Sequence, residues 1–199
     1  NSWPMFRHDL SHTGYTLSWG PGTNQTLWIY ETPYDIFGPS PAVVDGILYI
    51  GGGFGPILYA IDASTGESMW NYTITTWIAS SPAVADGMVY FGGFSTNVTA
   101  LNAATGEFIW NYTTGGYIAA SSPAVVDDVV YIGGGYGKGV YALNATTGAK
   151  IWNYTTGGEV HSSPAVANGI VYVGSYDNKV YAFNASTGEV IWNYTTGFD

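Results

Sequence analysis

Ser-Pro-Ala-Val occurs four times in this chain, beginning at Ser40, Ser81, Ser122 and Ser163, each 41 residues after the last. A Thr-Gly pair accompanies each copy, at Thr65-Gly66, Thr105-Gly106, Thr147-Gly148 and Thr187-Gly188. Four residues after each glycine stands a tryptophan: Trp70, Trp110, Trp152 and Trp192. Trp28, 42 residues before Trp70, continues the series backwards. A period of this length means that one supersecondary unit is used repeatedly and buries its faces against its neighbours.

Inside a unit the pattern resolves into four short strands. In the last one, Pro164 to Ala167 and Ile170 to Val173 flank Asn168-Gly169. Asn-Gly between apolar runs marks a tight hairpin, because both turn residues need positive φ. Asp45-Gly46 and Asp86-Gly87 repeat the signal, and Asp127-Asp128 is a poorer version of it. A loop over 174–178 leads to a third strand from Lys179, and the Ser186-Thr187-Gly188 turn leads to a fourth from Glu189. Each unit therefore reads as an antiparallel four-stranded meander, and no segment has useful helical periodicity. Such a sheet cannot bury both faces alone. Radial stacking as a β-propeller solves this at about 40 residues per blade, and the regular period favours it over stacked sandwiches. The fold expected is all-β: four complete blades (about 40–74, 81–115, 122–156 and 163–197) within 34–199, preceded by an arm over 1–33.

Composition narrows the function. Of 199 residues 46% are hydrophobic and 9% charged, with 4 Lys+Arg against 14 Asp+Glu, for a net charge of −10. That balance disfavours phosphate backbones and anionic lipid surfaces. No apolar run approaches the ~18 residues of a spanning helix. The absence of cysteine removes disulfides, thiol catalysis and Cys-ligated zinc together.

The unit "SPAVANGIVYVGSYDNKVYAFNASTGEVIW" resembles the PQQ-like β-propeller repeat, with its A-x-N-x-x-T-G-x-x-x-W docking motif. The motif stands as "AIDASTGESMW" from Ala60 to Trp70, then as "ALNAATGEFIW", "ALNATTGAKIW" and "AFNASTGEVIW". The opening "WPMFRHDLSHTGYT" is similar to the lead-in of secreted, often archaeal, members. The resemblance implies that Trp28, Trp70, Trp110, Trp152 and Trp192 pack between blades and that the turn glycine lets the chain reverse beside them. It specifies fold far more than function.

Dehydrogenases of that family hold a quinone over a larger ring, usually with calcium, carboxylate ligands and a cysteine pair. This chain has half the usual blade number, no cysteine and no D-x-D-x-D-G loop. Its blades differ mainly in the loops over 51–56, 92–97, 133–139 and 174–178, which supply Gly, Tyr, Phe and Ser rather than an acid–base pair. Asp45, Asp86 and Asp127 suit turns. His8 and His12 flank Asp9 at a spacing that on a helix offers two metal ligands. Pinning of the arm by Arg7, Asp9 and His12 is the favoured reading. His161 stands alone before the last blade. No catalytic, cofactor-binding or metal site is expected, and the chain is read as not an enzyme.

Asn-x-Ser/Thr sequons occur at Asn24, Asn71, Asn97, Asn111, Asn144, Asn153, Asn184 and Asn193. About two would arise by chance from this composition. Asn71, Asn111, Asn153 and Asn193 each follow a docking tryptophan as "WNYT". Side chains alternate along a strand, so a buried Trp directs its neighbouring Asn to the other face or the rim. Covalent N-glycans in a belt are expected, and with them an exported, cell-surface or extracellular protein whose signal peptide has been removed.

Gln25 to Tyr30 ("QTLWIY") reads as a fifth outer-type strand without a blade of its own. Its unpaired backbone groups need a partner in its own ring, in another copy, or in a longer chain. The function expected is a non-catalytic, glycosylated structural protein that self-assembles through blade edges into a homo-oligomer or homopolymer, a fibre or surface layer. A carbohydrate-binding module, using the loops around Phe54, Phe94, Tyr136 and Tyr176, is the alternative. A fragment of a quinone dehydrogenase stands behind both.

Overall fold

The computed structural model describes residues 4–6, 8, 9 and 24–197. It contains four sheets of four strands, each in chain order. Blade 1 is β1 (Ala42–Val44), β2 (Ile47–Gly51), β3 (Ile57–Asp62) and β4 (Ser68–Thr73). Blade 2 is β5 (Ala83–Ala85), β6 (Met88–Phe91), β7 (Asn97–Asn102) and β8 (Phe108–Thr113). Blade 3 is β9 (Ala124–Val126), β10 (Val129–Gly133), β11 (Gly139–Asn144) and β12 (Lys150–Thr155). Blade 4 is β13 (Ala165–Ala167), β14 (Ile170–Ser175), β15 (Lys179–Asn184) and β16 (Val190–Thr195). Every pairing is antiparallel, and no helix occurs among the described residues. This is the all-β architecture of four-stranded propeller blades.

The hairpins obey the turn chemistry. Asp45 and Gly46 take φ of 51° and 79°, and Asn168 and Gly169 take 52° and 72°. Asp127 and Asp128 hold the same turn at 48° and 60° without glycine, since Asp tolerates the left-handed region better than most residues. The third and fourth strands of each blade slip register at one point. An alanine lies opposite each tryptophan just before the slip: Ala60 to Trp70, Ala100 to Trp110, Ala142 to Trp152 and Ala182 to Trp192. A small residue across the pair leaves room for the indole, and the bulge re-aims it.

The first strands line the inside of the structure in series, β1 beside β5, β5 beside β9 and β9 beside β13. Three apolar clusters lie between blades 1 and 2, 2 and 3, and 3 and 4. Among the described residues the blades thus form an open arc, with one face of blade 1 and one of blade 4 lacking a partner blade. The arm touches the inner edge: the Val84 N–H donates to the Pro4 carbonyl at 2.7 Å, and Met5 is buried between blades 2 and 3.

One expectation is corrected. Gln25 to Tyr30 forms no strand and belongs to no sheet among the described residues. An outer strand is held by the third strand of its own blade, and among the described residues no such strand is present to receive this one. Arg7 and His12, expected to pin the arm, lie outside the described residues.

Candidate functional site

The joint between blades is built from the docking motif and recurs with the same parts. The indole N–H of Trp70 donates to the Ala103 carbonyl of blade 2 at 2.9 Å. Trp110 does the same to Ala145, and Trp152 to Ala185, both at 2.7 Å. The same carbonyl takes a second hydrogen bond from a tyrosine hydroxyl on the second strand of the preceding blade. Tyr49 reaches Ala103 at 3.0 Å, Tyr90 reaches Ala145 at 3.3 Å and Tyr131 reaches Ala185 at 3.1 Å. Burial, and then Asp45 nearby, pushes the Tyr49 hydroxyl up to about 12, so it stays a donor. Under each indole lies the glycine of the Thr-Gly turn. A Cβ on Gly106, Gly148 or Gly188 would come within 2.6–2.7 Å of the ring.

A serine ladder completes the joint on the inner side. The N–H of Ser40 donates to Ser81 Oγ at 2.8 Å, that of Ser81 to Ser122 Oγ at 2.9 Å and that of Ser122 to Ser163 Oγ at 3.0 Å. Outward, Asp62 caps the Thr-Gly turn of blade 1 by accepting from the Ser64 and Thr65 N–H groups and the Ser64 hydroxyl. These bonds, the Ser64 hydroxyl foremost, hold its carboxyl down at about 2. Asn102, Asn144 and Asn184 cap the equivalent turns through Oδ1.

At the two ends of the arc the joint is incomplete. Trp192 is 44% exposed, whereas Trp110 and Trp152 are 6% and 8% exposed. Trp192 and Tyr172 lie side by side at 6.0 Å, like the three internal pairs at 5.9 Å, but meet no acceptor carbonyl among the described residues. Gly51, Gly92 and Gly133 are overlain by Ile78, Ile118 and Val160 of the next blade's approach, whereas a Cβ on Gly174 would meet nothing closer than 3.8 Å. At the other end Trp28 docks on blade 1. Its N–H donates to Ala63 at 3.1 Å, and a Cβ on Gly66 would come within 2.7 Å of its ring. All five tryptophans thus stand in equivalent positions, and four of them have a blade to dock on.

Of the sequon residues, Asn24, Asn71, Asn111, Asn153 and Asn193 are exposed. Asn97, Asn144 and Asn184 are partly buried: Asn97 accepts from the Thr113 hydroxyl at 2.9 Å, and the other two cap turns. Asn144 and Asn184 thus have a structural use that also explains why asparagine stands there. Met69, Ile109, Ile151 and Ile191, each two residues before a "WNYT" asparagine and on its strand face, are exposed.

The loops bring together aromatics that the sequence scatters. Phe37 stacks on Phe54 at 5.4 Å, Phe54 meets Trp77 at 5.3 Å, and Trp77 meets Phe94 at 5.6 Å. A second run joins Tyr117 to Tyr136 at 6.4 Å, Tyr136 to His161 at 5.0 Å and His161 to Tyr176 at 4.9 Å. Between the runs Thr75, Thr76, Trp77, Phe94 and Tyr117 line a cavity of about 350 Å³. Phe37 lies in the lead-in to blade 1 and Trp77 and Tyr117 in the connections between blades, where the sequence carries no periodic signal. Two larger clefts, about 560 and 450 Å³, have equivalent linings between blades 3 and 4 and blades 1 and 2, and so belong to the joints.

Acidic groups near this rim are already engaged. Glu159 Oε2 lies 2.8 Å from His161 Nε2. Asp177 Oδ2 accepts from the Tyr181 hydroxyl at 2.5 Å and the Gly157 N–H at 2.9 Å. Burial raises the Asp177 carboxyl, but Tyr181, Gly157, Ser175 and Lys179 outweigh it and leave it low. Burial and the Asp177 contact push Tyr181 up to about 12. Among the described residues no three His, Asp or Glu converge.

A family model described as outer membrane protein assembly factor BamB matches residues 17–140 and again 95–197. Among solved structures the chain is similar to quinohemoprotein alcohol dehydrogenases. That of Comamonas testosteroni is 22% identical with a TM-score of 0.84, covering 98% of this chain and 41% of that one. That of Pseudomonas putida is 22% identical with a TM-score of 0.81, covering 98% and 40%. BamB of Moraxella catarrhalis is 22% identical with a TM-score of 0.65, covering 74% and 49%. The chain thus spans two fifths to half the length of these proteins, and the likeness is one of fold. No curated protein matches the sequence.

Proposed function

Because the chain belongs to the PQQ-like β-propeller repeat family, a fold that serves many functions, we propose that it is a non-catalytic, N-glycosylated extracellular structural unit that self-assembles by joining blades end to end. The observation that carries this is the exposed Trp192, the same docking indole that is buried at the two preceding joints. A large aromatic on an unfilled, preformed contact surface is the usual mark of an interface. The matched dehydrogenases and BamB, of which this chain covers 40–49%, are consistent with an arc that needs more blades.

The glycan part of the reading is supported by five exposed sequons, four of them beside an exposed apolar residue on the same strand face. A glycan there would cover that residue and keep a weakly charged surface soluble. Analytical ultracentrifugation of the glycosylated 199-residue chain tests assembly, and glycopeptide mass spectrometry tests occupancy. Concentration-dependent species larger than the monomer are expected. A strict monomer up to millimolar concentration would defeat the assembly reading.

The rim supports a second reading, a carbohydrate-binding module. Partly exposed Trp77 and Tyr117 beside threonine hydroxyls suit a sugar, which stacks its apolar face and hydrogen-bonds its edge. Titration of soluble polysaccharides into the wild type and Trp77→Ala checks it. Saturable binding lost in the variant would establish this reading.

A further inference from the structure

Each blade joint has a direction. One blade donates, through an indole N–H, a tyrosine O–H and a serine N–H. The next accepts, through an alanine carbonyl above its Thr-Gly turn and a serine Oγ. The groups left over at the ends of the arc are complementary. Among the described residues, blade 4 retains the donors of Trp192, Tyr172 and Ser163, and blade 1 presents Ser40 Oγ and the Ala63 carbonyl. A second copy of the chain therefore carries the surface that this one lacks, and a joint built this way continues the three that already exist.

One contact stands in the way. The Ala63 and Gly66 site that Trp192 of a second copy needs is held by Trp28 of the same chain. Trp28 holds it with less support than the internal tryptophans have. Among the described residues no second-strand tyrosine shares its carbonyl and its segment belongs to no sheet, while Leu27 and Ile29 on either side are 87% and 79% exposed.

We propose that the segment around Trp28 is a displaceable plug: Trp28 occupies the receiving site of blade 1 and gives way to Trp192 and Tyr172 of a second copy, converting single chains into head-to-tail assemblies. The inference rests on the self-assembly reading. It adds that the arm opposes assembly, whereas an arm that paired with another copy would drive it. The apparent affinity of a partly closed site falls by the fraction that is open, so removing the plug should tighten association.

The test measures association by mass photometry and sedimentation velocity for wild type, Trp28→Ala and Trp192→Ala. The plug predicts that Trp28→Ala associates about tenfold or more tightly than wild type, and that Trp192→Ala stays monomeric. A synthetic peptide spanning residues 24–33 should reverse the assembly of Trp28→Ala, and the same peptide carrying the Trp28→Ala substitution should not. This peptide arm works on the wild type as well, should the full-length variant fail to fold. If Trp28→Ala weakens assembly, the arm is itself the joint; the plug is overturned and self-assembly stands. Assembly unaffected by all three perturbations also overturns the plug. If nothing assembles at any concentration, the self-assembly reading falls with it.

Discussion

Gly148 lies directly beneath the indole of Trp110 at the joint between blades 2 and 3, at φ +71°. Gly169, at φ +72°, occupies a hairpin turn where a Cβ would meet nothing within 4 Å. Alanine at either position must adopt the left-handed region, at a cost of about 1–2 kcal/mol. At Gly148 the methyl would also sit 2.6 Å from Trp110 Cδ2 and Cε3, and the ring is 6% exposed with little space to retreat. Forcing a methyl into such packing costs about 1–3 kcal/mol more. Shifting the indole also loosens its 2.7 Å bond to Ala145, worth about 1 kcal/mol. Gly148→Ala is therefore expected to lose about 3–6 kcal/mol and Gly169→Ala about 1–2 kcal/mol. Urea unfolding followed by tryptophan fluorescence reads both at once, provided the m-values agree. Equal losses in the two variants would refute the claim that turn glycines exist to seat the indoles.

Asp62 gives a pH prediction with its control built into the repeat. Its folded pKa of about 2 lies below the ordinary 3.8. Its contribution is thus present above about pH 4 and is lost as pH falls through about 2. Asp62→Asn, which copies Asn102, Asn144 and Asn184, should remove that acid loss and leave neutral stability nearly unchanged, as urea midpoints across about pH 2–6 would show. Tyr131→Phe should cost no more than about 1 kcal/mol, because Ala185 keeps its bond from Trp152; thermal unfolding checks this. Asp177→Ala orphans Tyr181 and Gly157 where blades 3 and 4 meet and should cost about 1.5–3 kcal/mol. Hydrogen exchange should then speed up first in blade 4.

What the sequence disclosed was whatever the repeat wrote down more than once. The hairpin turns and docking tryptophans stand at a fixed period, and local chemistry suffices to place them: positive φ at Asn168-Gly169 and a glycine before each indole. What it hid depends on which segments become neighbours. Nothing local distinguishes "QTLWIY" from a true outer strand, since Trp28 does dock; what it lacks is a strand beside it. The aromatic rim was half visible. Phe54, Phe94, Tyr136 and Tyr176 recur in loops, but Phe37, Trp77 and Tyr117 join them only once the blades are stacked. Asn144 and Asn184 read as sequons because a turn cap and a glycan acceptor ask for the same side chain.

Four blades in an open arc share three joints. When stability is mostly a sum over nearest-neighbour contacts, such an array is weakest at its ends and frays from there. Adding a blade to an open arc always leaves one joint fewer than the number of blades. Closing the circle removes that deficit, and with it both loose ends. Two such arcs meeting at both ends would gain two joints in one event, so closure would be far more cooperative than growth of an open line. Which of these wins is then a matter of curvature, the angle that the alanine, glycine and tryptophan set at each joint, and not of any residue that recognises a ring.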